Sequence, residues 1–191
     1  MDGREVGYQG LSQGMASGFS SSADGHVSRC ADIVDTDFVH IRGDARARLH
    51  TVNISECSRV TDAAFVHLCG IDTLNMYYCN QPTIKDEAFV HLRRIQTLSI
   101  SRCNQATITD AAFVHLRGIH TLNMHYCNQA TITDEAFEHL SGIQSLDMAY
   151  CNMASITGAT LVQLRGIHTL YTYDCNPATR AQPQRLSPLL T

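Results

Sequence analysis

The chain has 191 residues, 44% hydrophobic and 17% charged, with a net charge of −4, which suits one folded domain that buries a core without covalent help. A negative balance disfavours a general nucleic-acid binder, which needs a basic face. No apolar run reaches the length of a signal peptide h-region or a membrane span, so the cytoplasm or nucleus, free thiols and no membrane partner are the expectation.

Residues 1–25 carry six of the twelve Gly with a Ser cluster between them. That composition cannot offset its ordering entropy, and residues 1–28 read as a flexible tail. Thirteen Arg accompany a single Lys, Lys85. Codon bias explains that ratio, and so does selection against lysine acceptor sites beside a ubiquitin ligase. From Cys30 a pattern begins, with IVDTDFVHIRG in a worn first unit whose strand, HTVNISEC, returns only after the insertion DARAR. Cys57 opens a unit lacking two residues after its Cys, and Cys79, Cys103, Cys127, Cys151 and Cys175 then recur every 24 residues. A period of this length marks stacked repeats, none of which buries its apolar face alone.

Each unit carries two hydrophobic periods. Ile119, Leu122 and Met124 end in the alternation of a half-buried strand. Thr109 and Asp110 then open a short helical turn, Thr as N-cap and Asp at the positive end of the dipole. Phe113 and Leu116, three apart, share its inner face, and Gly118 turns the chain toward the next strand. Parallel strands are thus expected around Val52, Leu74, Leu98, Leu122, Leu146 and Leu170. The units from Cys103 and Cys127 agree at 17 of 24 positions. Their differences, Ala111/Glu135, Val114/Glu138, Arg117/Ser141, His120/Gln144, Thr121/Ser145, Asn123/Asp147 and His125/Ala149, all fall where this register expects solvent.

The pattern I-x-x-L-x-M-x-x-C followed by I-T-D-x-x-F-x-x-L resembles the cysteine-containing subclass of leucine-rich repeats, over about residues 30–176. The resemblance implies an α/β solenoid, or horseshoe, with a parallel β-sheet on the concave face and short helices on the convex face. It implies a Cys plugging the turn after each strand. It also implies a link to F-box ubiquitin-ligase adaptors, whose substrate-recognition half this family often supplies, although residues 1–29 hold no recognisable F-box. The units depart from the family in their length of 24 residues and in Met or Ile where Leu is usual. The repeat domain is read as residues 29–176, about six units. Residues 177–191, with three of the four Pro, read as an irregular tail.

Eight Cys and ten His raise the question of a metal, but no pair has the C-x₂₋₄-C spacing of a zinc site. The ladder Cys read as buried free thiols, and Cys69 alone is off register. His40, His67, His91, His115 and His139 form a second ladder on the helix, at the position of Gln163 in the last unit. Residues copied in every turn look like framework, and the singletons assemble no triad, carboxylate pair or phosphate loop. No catalytic residue, metal site or cofactor is expected.

Binding is the better-supported reading. Outward strand positions form columns: Thr51, Thr73, Thr97, Thr121, Ser145, Thr169, then Asn53, Asn75, Ser99, Asn123, Asp147, Tyr171, then Ser55, Tyr77, Ser101, His125, Ala149, Tyr173. Just beyond come Glu56, Tyr78, Arg102, Tyr126, Tyr150 and Asp174. Six of the seven Tyr lie in these columns, and Tyr and Arg are enriched at interface hot spots. Tyr77, Tyr78, Arg102, His125, Tyr126, Asp147, Tyr150, Tyr171 and Tyr173 are the candidate contacts for a protein or peptide partner, in a chain read as a monomer. The alternatives are substrate recognition in a ubiquitin-ligase complex, or a structural duplicate without a specific partner. Six strands offer roughly 500 Å² of concave face, against about 800 Å² per partner in a standard interface.

Overall fold

A computed structural model of the chain describes residues 33–42, 50–159, 161, 164 and 166–180. The tail read at 1–28, Cys30 of the first unit and residues 181–191 lie outside the described residues.

Six strands pair in parallel and in chain order within one sheet: β1 (Thr51–Asn53), β2 (Thr73–Asn75), β3 (Thr97–Ser99), β4 (Thr121–Asn123), β5 (Ser145–Asp147) and β6 (Thr169–Tyr171). Val52 faces Leu74, Leu74 faces Leu98, and so on to Leu170, so the register keeps one central apolar residue per strand over the core. Val52, Leu74, Leu98, Leu122 and Leu146 are fully buried, whereas Leu170 is only half-buried at the end of the described stack. The expected strand centres are therefore the observed ones.

Four helices begin at the Asp of the repeat: α1 (Asp62–Phe65), α2 (Asp86–Phe89), α3 (Asp110–Phe113) and α4 (Asp134–Phe137). The first three tighten into 3₁₀ turns that end at Leu68, Leu92 and Leu116. Thr61, Thr109 and Thr133 cap their helices, each hydroxyl accepting from the N–H two residues on, which satisfies an orphan donor of the first turn. The Asp of the preceding unit clamps the cap. Asp86 accepts from both the N–H and the hydroxyl of Thr109 at 2.7 Å, and Asp110 does the same for Thr133. Lys85 sits at the N-cap of α2 and makes no side-chain cap bond, so Asp62 receives only its backbone N–H. Phe65, Phe89, Phe113 and Phe137 stack completely buried beneath the helices, each contributing about 1.5–3 kcal/mol through burial.

The cysteines join the units. Cys79, Cys103, Cys127, Cys151 and Cys175 each donate the S–H to a carbonyl of the unit before, that of Ile54, Met76, Ile100, Met124 and Met148, at 2.8–3.0 Å. The same carbonyls from Ile54 to Met148 also accept the backbone N–H of their own turn's Cys. Burial pushes the Cys79 thiol up to about 11 and Cys103 up to about 12, and it raises Cys127 and Cys151 as well. The exposed Cys69 and the five rungs from Cys79 to Cys175 form no disulfide. Cys57 is disulfide-bonded, which corrects the expectation of a free thiol at that rung. Its unit carries the first described strand, so no described strand precedes it to offer the carbonyl that the later rungs use.

Two outward positions need correcting too. Ser101 and Ala149 are buried. Ser101 turns its hydroxyl onto the His125 carbonyl, and Ala149 is a lone methyl between the longer His125 and Tyr173 of its column. Of the seven differences between the two near-identical units, Ala149 is thus the one that meets the interior. After the last unit, Pro177–Arg180 forms a helical turn, α5, where the sequence reading placed irregular chain. Asn176 accepts from Thr179 N and Pro177 occupies the first helical position, the arrangement that N-capping favours.

The amides of Gln105 and Gln129 are buried without a hydrogen-bond partner. At the equivalent position Gln81 reaches the Cys57 and Val60 carbonyls of the shorter unit, while Met153 is buried and apolar. An unsatisfied buried amide costs about 1–3 kcal/mol, so Gln129→Met should raise stability in denaturant unfolding. No gain, or a loss, would show that the amide is satisfied in solution.

Lys85→Thr restores the cap and its clamp and should stabilise the chain by about 1 kcal/mol, read as a higher urea midpoint at unchanged slope.

Among the described thiols, titration of the native chain should find one fast group, Cys69, and Cys69→Ser should remove it. The buried thiols are protonated in the fold above their ordinary value of 9.0. Their contribution to stability is full below pH 9 and is lost as pH rises from about 9 to about 12 through the folded values. Cys103→Ala should flatten that fall by about 1 kcal/mol per pH unit, measured by unfolding at a series of pH values from 8 upward.

Candidate interaction surface

Two columns of residues have left-handed backbone, and the chain fills them in opposite ways. On the return from each helix, Gly70, Gly118, Gly142 and Gly166 have φ of 82–85°, and among the described residues only Arg94, at 74°, carries a side chain there. At the strand exits, Glu56, Tyr78, Arg102, Tyr126, Tyr150 and Asp174 have φ between 55° and 62°. Each is the third residue of a turn closed by the Cys N–H, as in Met76–Cys79 and Met124–Cys127, the place where a type II turn favours Gly. The left-handed conformation costs about 1–2 kcal/mol per non-Gly residue. The backbone gain is common to any residue: Tyr78, Arg102, Tyr126 and Tyr150 donate N–H to Ser101, His125, Ala149 and Tyr173 carbonyls of the next unit at 2.8–3.0 Å. Glycine would make those bonds without the strain, yet six consecutive exits carry none.

The side chains held there form an array. The Arg102 guanidinium lies 4.5 Å from the centroid of the Tyr126 ring. Tyr126 stacks on Tyr150 at 4.5 Å with only 3° between the planes. Tyr150 meets Tyr173 edge-on at 5.2 Å and 85°, and Tyr173 meets Tyr171 at 6.4 Å and 76°. His125 braces the stack, 4.5 Å from Tyr126 and 5.3 Å from Tyr150. Offset and edge-to-face ring pairs contribute about 0.5–1.5 kcal/mol each, which offsets part of the backbone strain. The Tyr150 hydroxyl is raised above its usual value by its partly desolvated setting and then by the negative charge of the Asp174 carboxylate.

The nine candidate contacts therefore divide. Arg102, His125, Tyr126, Tyr150, Tyr171 and Tyr173 come together in one array. Tyr77 and Tyr78 touch each other, with centroids 6.1 Å apart, two units from Tyr126. Asp147 is tied to the turn, one carboxylate oxygen accepting from Ala149 N at 3.0 Å, as Asn75 accepts from Tyr77 N and Asn123 from His125 N. Tyr78, Tyr171 and Tyr173 are about half exposed, at 53%, 49% and 51%. Asp174, left out of the sequence selection, belongs to the array through Tyr150. Its position beside Tyr150 in the exit column was the signal that could have found it.

On the helical side, Cys69 Sγ lies 3.6 Å from His91 Nδ1, and Arg117 lies 3.3 Å from His139 Nδ1. Burial and the positive charge of Arg93 lower the His115 imidazole. The His40 side chain and Gln163 lie outside the described residues. Among the described residues, no group of three or more His, Cys, Asp or Glu is placed to hold a metal ion, and no helix is long and apolar enough to cross a membrane.

No protein-family model matches the sequence, and no curated protein matches it. Solved structures do. A chain of the crystal structure of the TLR13–ssRNA13 complex is 21% identical, with a TM-score of 0.54 over 66% of this chain and 18% of its own. A chain of the Toll–Spatzle complex of Drosophila is 11% identical, with a TM-score of 0.57 over 78% of this chain and 23% of its own. A chain of the Rad7–Elc1 complex of yeast is 18% identical, with a TM-score of 0.57 over 81% of this chain and 44% of its own. The chain thus spans less than half the length of each structure it resembles, and identities this low speak for fold alone. Six in-register parallel strands, short helices between the strands from β1 to β5 and this likeness give the chain the fold of a leucine-rich-repeat solenoid of the α/β class.

Proposed function

We propose that the chain is an interaction module that takes a protein or peptide segment on its strand exits and the adjoining outward face of the sheet. The observation that carries this reading is the contrast between the two left-handed columns. Where the turn serves the backbone alone the chain uses Gly, and at the exits it keeps Tyr, Arg and acidic residues against a backbone cost. Side chains retained against strain mark a surface with work beyond folding. The three solved assemblies of the same fold, with ssRNA, Spatzle and Elc1, support a binding role in general. The regular thiol-to-carbonyl ladder supports membership of the cysteine-containing subclass.

Energy concentrates in the array because rigid aromatic anchors bind at low entropy cost. The sheet face of roughly 500 Å² then serves as a platform beside it, and a partner of standard size extends over the exits as well.

Replacing Tyr77, Arg102, His125 and Tyr173 together by Ala should abolish capture of a partner, since a hot-spot truncation costs about 2 kcal/mol or more. The matched control replaces Val114, Arg117, Glu138 and Ser141 on the helical side and should bind as the parent does. Parallel affinity captures from one lysate, with circular dichroism to verify both folds, read the outcome. Loss in the control alongside retention in the exit variant would put the interface on the helices.

A further inference from the structure

Arg102 shows what the tyrosine array accepts. Its guanidinium covers one face of Tyr126, and the other face of that ring is taken by Tyr150. The inner end of the array is therefore closed by a cation of the chain itself. Among the described residues, nothing closes the outer end in that way. Tyr171 and Tyr173 stand nearly perpendicular to one another and half exposed at the last described strand. Asp147 is the register partner of Tyr171 across β5 and β6, so a carboxylate stands beside these rings. One of its oxygens is bound to Ala149 N, and no described residue donates to the other. Asp174, exposed, adds a second negative charge next to Tyr150. Perpendicular aromatic walls with a carboxylate beside one of them are the setting in which a cation is attracted both by the ring quadrupoles and by a full charge.

We infer that the Tyr171–Tyr173 corner, with Asp147 as its counter-ion, is a binding site for a Lys or Arg side chain of a basic peptide segment. This inference rests on the exits being an interaction surface and names the chemistry of what they hold. Across the exit and outward columns Arg102 is the one permanent cation, against Glu56, Asp147 and Asp174. That balance complements a cationic segment and repels a phosphate backbone. The segment lies along the exits, one basic residue in the corner and its chain over the stacked Tyr126 and Tyr150. The geometry at Arg102 is repeated in trans at the other end of the array.

The test titrates the full chain with nonalysine, nonaglutamate and a nine-nucleotide oligouridine RNA by calorimetry at about 0.15 M salt. Nonalysine should bind and the two anionic probes should not. The double variant Tyr171→Leu/Tyr173→Leu keeps apolar bulk and removes the π faces, and it should weaken nonalysine binding at least about tenfold. Tyr171→Phe/Tyr173→Phe keeps the faces and should bind within about twofold of the parent, which rules out a folding defect as the cause. Asp147→Asn preserves the oxygen that accepts from Ala149 and should weaken binding about threefold to tenfold. Equal binding by the Leu variant, or tighter binding of either anionic probe, overturns the inference. If captured partners depend on Tyr77 and Tyr78 but not on the corner, the interaction surface stands and this site falls. If they depend on the helical side, both fall.

Discussion

The structure depends on each unit supplying the hydrogen-bond partners of the next. Thiol to carbonyl, carboxylate to N-cap and the series in which the side-chain oxygens of Asn80, Asn104 and Asn128 accept the N–H of Asn104, Asn128 and Asn152 at 2.5–2.7 Å all bridge positions 23–27 residues apart. The backbone adds its own rungs between strands only three residues long. Neither a three-residue strand nor a four-residue helix is stable alone. A buried polar group without a partner is costly, so a unit out of register would lose several bonds at once. That penalty keeps six short strands aligned.

The same constraint explains where the copies are allowed to differ. Thr, Asp, Cys and the strand-closing carbonyls are fixed by the neighbour they serve, so their replacement leaves a visible defect. Lys85 breaks one cap, Arg94 occupies a position its sister units give to Gly, and Gln105 and Gln129 bury amides that Gln81 satisfies only because the unit before it is shorter. The exits escape this constraint. Only the N–H of an exit residue serves the stack, which leaves its side chain free to become Glu, Tyr, Arg or Asp.

Freedom at the exits is not randomness. The left-handed backbone aims successive side chains along one line, one strand spacing apart, and rings placed at that spacing stack. Tyr126 on Tyr150 is the product. The solenoid thus converts a turn of poor backbone energy into a rigid row of aromatic groups, and rigidity before binding reduces the entropy lost on binding. Where the copies diverge most, in β6 and its exit, the row ends in exposed rings and carboxylates rather than in another identical rung.

The sequence by itself determined the repeat, its register and the strand centres, because a 24-residue period repeated over the units from Cys79 onward leaves one alignment that turns the repeated Leu, Phe and Cys to the same side. It determined the N-caps for the same reason, with Thr and Asp adjacent at Thr61–Asp62, Thr109–Asp110 and Thr133–Asp134. It named most of the array, since Tyr at outward positions is visible from alternation alone. It did not determine that Ser101 and Ala149 are covered, which depends on the length of neighbouring side chains rather than on the direction of their own. It did not reveal that Cys57 is disulfide-bonded, because linear spacing does not fix which thiols meet. Nor did it separate Asp147, tied to its turn, from the rings around it, or join Asp174 to Tyr150. Those distinctions arise only when strands 24 residues apart are laid side by side, because the left-handed exits that bring these groups together leave no mark in local hydrophobic pattern.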